Sequence, residues 1–150
     1  MIPKISVTYK GNTLKEGIDY TLIRTNNINV GTSTITLKGK GAYAGTLKKT
    51  FDIIPKGTSL SKLVKGKKKI TVKWKTQKTQ TDGYEIQYST TKKFNKSVKT
   101  KKVTGAGKKS VTIKKLKAGK LYYVRIRTRK KVGTKVYYSK WSKAKKIKTK

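Results

Sequence analysis

Proton transfer and nucleophilic attack have little to draw on in this chain. Its 150 residues include no histidine, no cysteine and only 5 carboxylates, of which just Glu16 with Asp19 and Asp82 with Glu85 lie close in sequence. A general acid or base must titrate near the working pH, and a thiol nucleophile or cysteine-based metal site is ruled out by composition. Serines and lysines are abundant, but no motif singles out a Ser–Lys pair. Neither acidic pair supplies the regularly spaced oxygen ligands of a Ca²⁺ loop, and Asp19 and Asp82 each stand beside a tyrosine and a turn, a structural use of aspartate. The expectation is a non-catalytic protein with no catalytic residue, no cofactor and no metal.

What the chain does offer is positive charge. Lysine and arginine number 41, for a net charge of +36. Through Pro55 there are 8 basic and 3 acidic residues, a net of +5; from Lys56 onward there are 33 and 2, a net of +31. Such a field attracts polyanions and repels itself, which weakens the fold at low salt. The only arginines are Arg24, Arg125, Arg127 and Arg129. Lysine acts as a point charge where base-edge reading of nucleic acid favours the planar arginine fork, so non-specific polyanion binding fits better than sequence readout. The densest constellation is KLYYVRIRTRKKVG at 120–133, where Tyr122, Val124 and Ile126 alternate with Tyr123, Arg125, Arg127 and Arg129. A period of two makes this a half-buried strand with a cationic outer stripe, and Arg125, Arg127, Arg129, Lys130, Lys131 and Lys135 are the candidate polyanion-binding residues. Lysine clusters at 67–69, 99–102, 108–109, 114–117 and 145–146 extend the field. The competing reading is a solvated surface, selected for solubility or for protection of sheet edges, or an amino-acid bias of the organism.

The elements that must carry these residues are strands. Threonine, valine, isoleucine and tyrosine recur at period two, and glycine or asparagine interrupts them every eight to twelve residues or so. Strands are expected at 5–9, 19–25, 32–38 and 47–54, with turns at Asn26-Asn27, at 29–31 and at 39–46. After the Pro55-Lys56-Gly57 junction, seven more are expected at 59–64, 69–75, 83–89, 98–103, 110–115, 121–129 and 136–147. The chain therefore reads as all-β: two tandem small β-sandwich-like modules, 1–55 and 56–150. No apolar run is long enough to span a membrane, and 1–4 lacks the apolar core of a signal peptide, so an export signal would lie outside this chain.

The individual residues add two resemblances. Val7, Tyr9, Gly11, Leu14, Gly17, Asp19 and Tyr20, then Asn27, Gly31 and Thr32, then Gly39, Gly41, Tyr43, Gly45 and Thr46, and finally Thr50, Phe51 and Ile53 resemble a bacterial immunoglobulin-like repeat of Gram-positive surface proteins. That family usually has one strand more at its start, which implies a repeat cut at its N-terminus and a larger parent chain. Ile70, Val72 and Trp74, followed by Tyr84, Ile86 and Tyr88, resemble strands B and C of a fibronectin type III domain. Leu116-Lys117-Ala118-Gly119 before Tyr122 resembles its tyrosine corner, with Ala118 where proline is common and the Tyr122 hydroxyl bonding to backbone just upstream. Neighbouring C and F strands would let Glu85 pair with Arg125 or Arg127 in an exposed contact.

Ser139-Lys140-Trp141-Ser142 beside those arginines resembles half of the tryptophan and arginine ladder of some cytokine-receptor members of this fold. The alternative is an aromatic platform of Tyr123, Tyr137 and Trp141 for a sugar ring. No Arg-Gly-Asp triplet stands in the loop at 130–135, so integrin binding by that route is unsupported. Together the resemblances imply a secreted or cell-surface protein of a Gram-positive bacterium. The leading expectation is docking on an anionic cell-wall polymer, teichoic acid or an acidic glycan; a ligand-free spacer and non-specific nucleic-acid binding are the alternatives.

Overall fold

A computed structural model describes residues 5–26 and 28–150. Residues 1–4 and Asn27, the latter expected in a turn, lie outside the described residues. The chain is all-β and divides into two compact units, Met1–Ile53 and Ile54–Lys150.

The first unit opens with a hairpin not foreseen from the sequence, β1 (Thr8–Tyr9) against β2 (Asn12–Thr13). Its two-residue turn is Lys10-Gly11, with φ of 47° and 84°. Positive φ at both central positions matches the right-handed twist of the flanking strands, and this shortens the strand expected at 5–9. A three-stranded antiparallel sheet follows, β3 (Tyr20–Thr25), β4 (Gly31–Gly39) and β5 (Thr46–Ile53), with β4 in the centre. Gly39 ends β4 where a Cβ would fall 1.4 Å from the Tyr43 carbonyl oxygen, so no other residue fits that turn. Tyr20, Val30 and Ile35 are buried, whereas Ile18, Ile23, Ile28 and Leu47 remain exposed.

The second unit packs two sheets face to face. One has the order β10 (Ser110–Ile113), β7 (Lys69–Trp74), β6 (Leu60–Gly66). The other has the order β12 (Lys135–Tyr138), β11 (Leu121–Val132), β8 (Gly83–Ser89), β9 (Lys99–Thr104), and β13 (Lys145–Lys148) also pairs with β11. Period-two side chains from both sheets meet in the core: Ile70, Val72 and Trp74 from β7, Tyr84 and Ile86 from β8, and Val124 and Ile126 from β11. The Trp74 and Tyr84 rings are 5.1 Å apart and tilted by 55°. Tyr122 takes the corner position, its hydroxyl accepting the Lys117 N–H at 3.2 Å.

The single strand expected at 136–147 is two strands with a crossing segment between them. Five residue steps on β11, from Arg129 to Val124, are matched by seven on the partner chain, from Tyr138 to Lys145. Two extra residues keep each side chain on its own face, where one would have exchanged the faces. In the gap, Ser139 Oγ accepts the Thr128 N–H and Ser142 Oγ accepts the Ile126 N–H, both at 3.1 Å. The Ser139 and Ser142 N–H groups in turn donate to the Thr128 and Ile126 carbonyls. Serine hydroxyls thus stand in for ladder carbonyls, and the backbone bows outward and carries Trp141 with it.

Candidate functional site

Alternation along β11 puts Arg125, Arg127 and Arg129 on the face away from the core, and antiparallel pairing places Gln87, Glu85 and Gly83 opposite them on β8. The pairs are made by hydrogen bonds. Arg127 donates through Nε and Nη2 to Glu85 Oε1, at 2.9 and 2.6 Å, and Arg125 donates through the same two nitrogens to Gln87 Oε1, at 3.0 and 2.7 Å. Of the two expected partners for Glu85, the structure selects Arg127. The pair is not the exposed contact expected from the sequence, because Glu85 is only 5% exposed.

Aromatic rings cover it. The Arg125 guanidinium lies 4.2 Å from the Phe94 ring centroid and 4.6 Å from that of Trp141; the Arg127 guanidinium lies 4.3 Å from Trp141 and 3.8 Å from Tyr138. The result is a stack in which Phe94, Arg125, Trp141, Arg127 and Tyr138 alternate arene and cation. Each ring face offers the negative lobe of its quadrupole to a weakly hydrated cation. Burial, and then the neighbouring Arg127 charge, push the Arg125 pKa down from its ordinary value. Trp141 was legible from its arginine neighbours. Tyr138 and Phe94 were not singled out, and for Phe94 the sequence holds no signal: it sits in a lysine-rich loop, at a φ of 53°.

The six candidate polyanion residues do not share one surface. Arg125 and Arg127 are committed to the stack, and Arg129 continues their face with its Nε buried and lacking a hydrogen-bond partner among the described residues. Lys130 belongs to the opposite face and its Nζ donates to Asp82 Oδ1 at 2.8 Å. This hydrogen bond is the main cause of an Asp82 pKa below the ordinary carboxylate value. Lys131 has an exposed side chain while its backbone N–H donates to Asp82 Oδ2 at 2.7 Å. Lys135 Nζ stands 4.7 Å from the Tyr137 ring centroid.

The proposed aromatic platform is likewise divided. Trp141 is enclosed by two guanidiniums, and Tyr137 points to the opposite face and is only 6% exposed. Tyr123 shares the Trp141 side of the sheet but takes no part in the stack. The reason is parity: neighbouring residues on a strand face opposite ways, and 137 and 138 are neighbours. Among the described residues no group of three or more acidic, histidine or cysteine side chains could hold a metal ion.

Comparison with known proteins agrees with the fold of the second unit. Residues 55–145 match the family model described as "Fibronectin type III domain". A solved chain described as "Myokine structure" superposes with a TM-score of 0.51 at 14% identity, over 65% of this chain and 98% of that one; at that identity the likeness is one of fold. No curated protein matches the chain.

Proposed function

The chain belongs to the fibronectin type III domain family, and from that premise we propose that it is a non-catalytic module of a secreted or surface protein of a Gram-positive bacterium, docking on an anionic cell-envelope polymer such as teichoic acid or an acidic glycan. In this reading the first unit is the bacterial immunoglobulin-like repeat that its residues resemble. The observation that carries it is the charge of the second unit, +31 with only Asp82 and Glu85 as carboxylates, both already engaged by Lys130 and Arg127. Internal acids therefore compensate almost none of the lysine field. A device against edge pairing or for solubility would work with charges of both signs, so a field this one-sided favours attraction to a polyanion.

With Arg125 and Arg127 held in the stack, the contact in this reading falls to the lysines. Arg125 and Arg127 commit Nε, Nη2 and both guanidinium faces to contacts within the fold, so exchanging Arg125, Arg127 and Arg129 together for serine would report on stability before it reported on binding.

The test is binding of the chain to Gram-positive cell walls at physiological ionic strength, with and without removal of teichoic acid and with DNA as competitor. Binding that depends on the polymer and resists DNA is the expected result. Nucleic-acid contacts through six to ten lysines would lose roughly 10³–10⁵ in affinity over a modest rise in salt, so binding that DNA erases would refute the reading. No binding at all would leave a spacer.

A further inference from the structure

At one end of the second unit lies a cleft of about 390 Å³, apart from the arginine stack and floored by the edge of the core. Four lysines surround it: Lys99 at the start of β9, and Lys115, Lys117 and Lys120 in the loop between β10 and β11. Its floor is apolar, made by Leu116 and by the rings of Tyr88 and Tyr122, whose centroids are 6.4 Å apart. No carboxylate lines it. Four exposed lysines lining one cleft concentrate positive charge there, and an anion bound among them is attracted by all four.

Both walls are tied in place. On one side Thr149, itself buried, donates from Oγ1 to the Lys117 carbonyl at 2.6 Å and accepts the Lys120 N–H at 3.1 Å, while Leu116 N–H donates to the Lys68 carbonyl. On the other side the fully buried Ser89 donates to the Lys96 carbonyl at 2.7 Å and accepts the Thr91 N–H. Ser97 and Lys115, one on each wall, hold φ of 51° and 59°, a left-handed conformation unfavourable for residues with a side chain. Backbone held this way at the mouth of a cleft is ordered before any ligand arrives, which lowers the entropic cost of binding.

We propose that this cleft binds a phosphate ester carried on a hydroxylated carbon chain, the repeat unit of a polyol-phosphate polymer. The inference rests on the polyanion reading above and narrows it to one site. The donor set suits phosphate: lysine serves as a point-charge phosphate ligand, and a tetrahedral group can offer its oxygens to several ammonium groups at once. Thr90 and Ser97 add hydroxyls suited to a polyol. The Tyr122 oxygen is already accepting from Lys117, so its proton is left to donate. Burial, followed by the neighbouring Tyr122, raises the Tyr88 pKa, so that hydroxyl too remains a proton donor at neutral pH.

The test titrates the whole chain at physiological ionic strength with oligomeric poly(glycerol phosphate), with glycerol phosphate, and with polyglutamate as a carboxylate control. Two triple variants are compared: Lys115→Gln/Lys117→Gln/Lys120→Gln at the cleft, and Lys75→Gln/Lys78→Gln/Lys108→Gln at the other end of the unit, which removes the same charge. The cleft variant should lose at least about 10-fold in affinity for the phosphate oligomer, and the control variant less than about 3-fold. Amide shifts of the unmodified chain on adding glycerol phosphate should centre on 88–99 and 115–122, a readout that needs no variant. Much tighter binding of the oligomer than of glycerol phosphate would identify a polymer as the source, and equal affinity a soluble ester.

Equal losses in both variants, shifts scattered over the surface, or polyglutamate binding as tightly as the phosphate oligomer would overturn the cleft while leaving general polyanion docking intact. Failure of the unmodified chain to bind the oligomer while it binds polyglutamate would overturn the cleft alone, and failure to bind either at this salt would overturn both.

Discussion

Replacing Arg127 with alanine removes two things at once. It strips two ring faces, Tyr138 and Trp141, of their cation, at about 0.5–1 kcal/mol each where the contact is partly exposed. It also leaves the Glu85 carboxylate, whose side chain is 6% exposed, without its positive partner. Breaking a fully buried pair costs about 3–5 kcal/mol, but Arg127 keeps 24% of its side chain exposed, so about 2–3 kcal/mol is the fitting figure. The expected loss is about 3–5 kcal/mol, and each kcal/mol moves the midpoint of a unit this size by roughly 4–8 °C.

Arg125→Ala is the internal comparison. It also loses two ring faces, yet leaves behind the neutral Gln87, so its cost should be about 2–3 kcal/mol. Denaturant unfolding followed by tryptophan fluorescence is the assay, since both tryptophans, Trp74 and Trp141, lie in the second unit and report on it alone. Neutralising the orphaned group as well, in Glu85→Gln/Arg127→Ala, should restore about 1–2 kcal/mol relative to Arg127→Ala. Arg125→Ala costing as much as Arg127→Ala, with no recovery in the double variant, would refute the claim that the buried carboxylate decides the energetics of the stack.

Two further outcomes follow from the hydrogen bonds around β11. Ser139→Ala and Ser142→Ala each deprive a β11 amide of its acceptor; the buried Ser139 should cost about 1–2 kcal/mol and the more exposed Ser142 less, with faster hydrogen exchange at Thr128 and Ile126 respectively. Asp82 has a folded pKa below its unfolded one, so its stabilisation is complete above about pH 4 and is lost as pH falls through the folded value; Lys130→Met should therefore be less stable than the parent at neutral pH, and their unfolding midpoints should converge in acid.

Much of this protein is legible in its residues. Alternation of Ile70, Val72 and Trp74, of Tyr84 and Ile86, and of Val124 and Ile126 determines strands and the faces they bury, because side-chain direction on a strand is set by parity and apolar groups leave water together. The Tyr122 corner and the partnership of β8 with β11 were readable from the resemblance to a fibronectin type III domain, not from parity. Net charge is likewise a property of composition, and it predicts attraction to polyanions before any fold is known.

What parity could not supply is which cations are available. Arg125 and Arg127 read from the sequence as an open stripe, but the serine-for-carbonyl exchange at Ser139 and Ser142 inserts two residues and brings Trp141 over them, while a loop fifty residues upstream delivers Phe94 to the other side. The lysine cleft has the same origin: Lys99 opens β9 and Lys115 lies in the loop that passes from one sheet to the other, and both line the cleft only because the sheets close together at that end. Strand pattern depends on neighbours in sequence; the site depends on loops and on a register shift, whose long-range hydrogen bonds and packing no local pattern records.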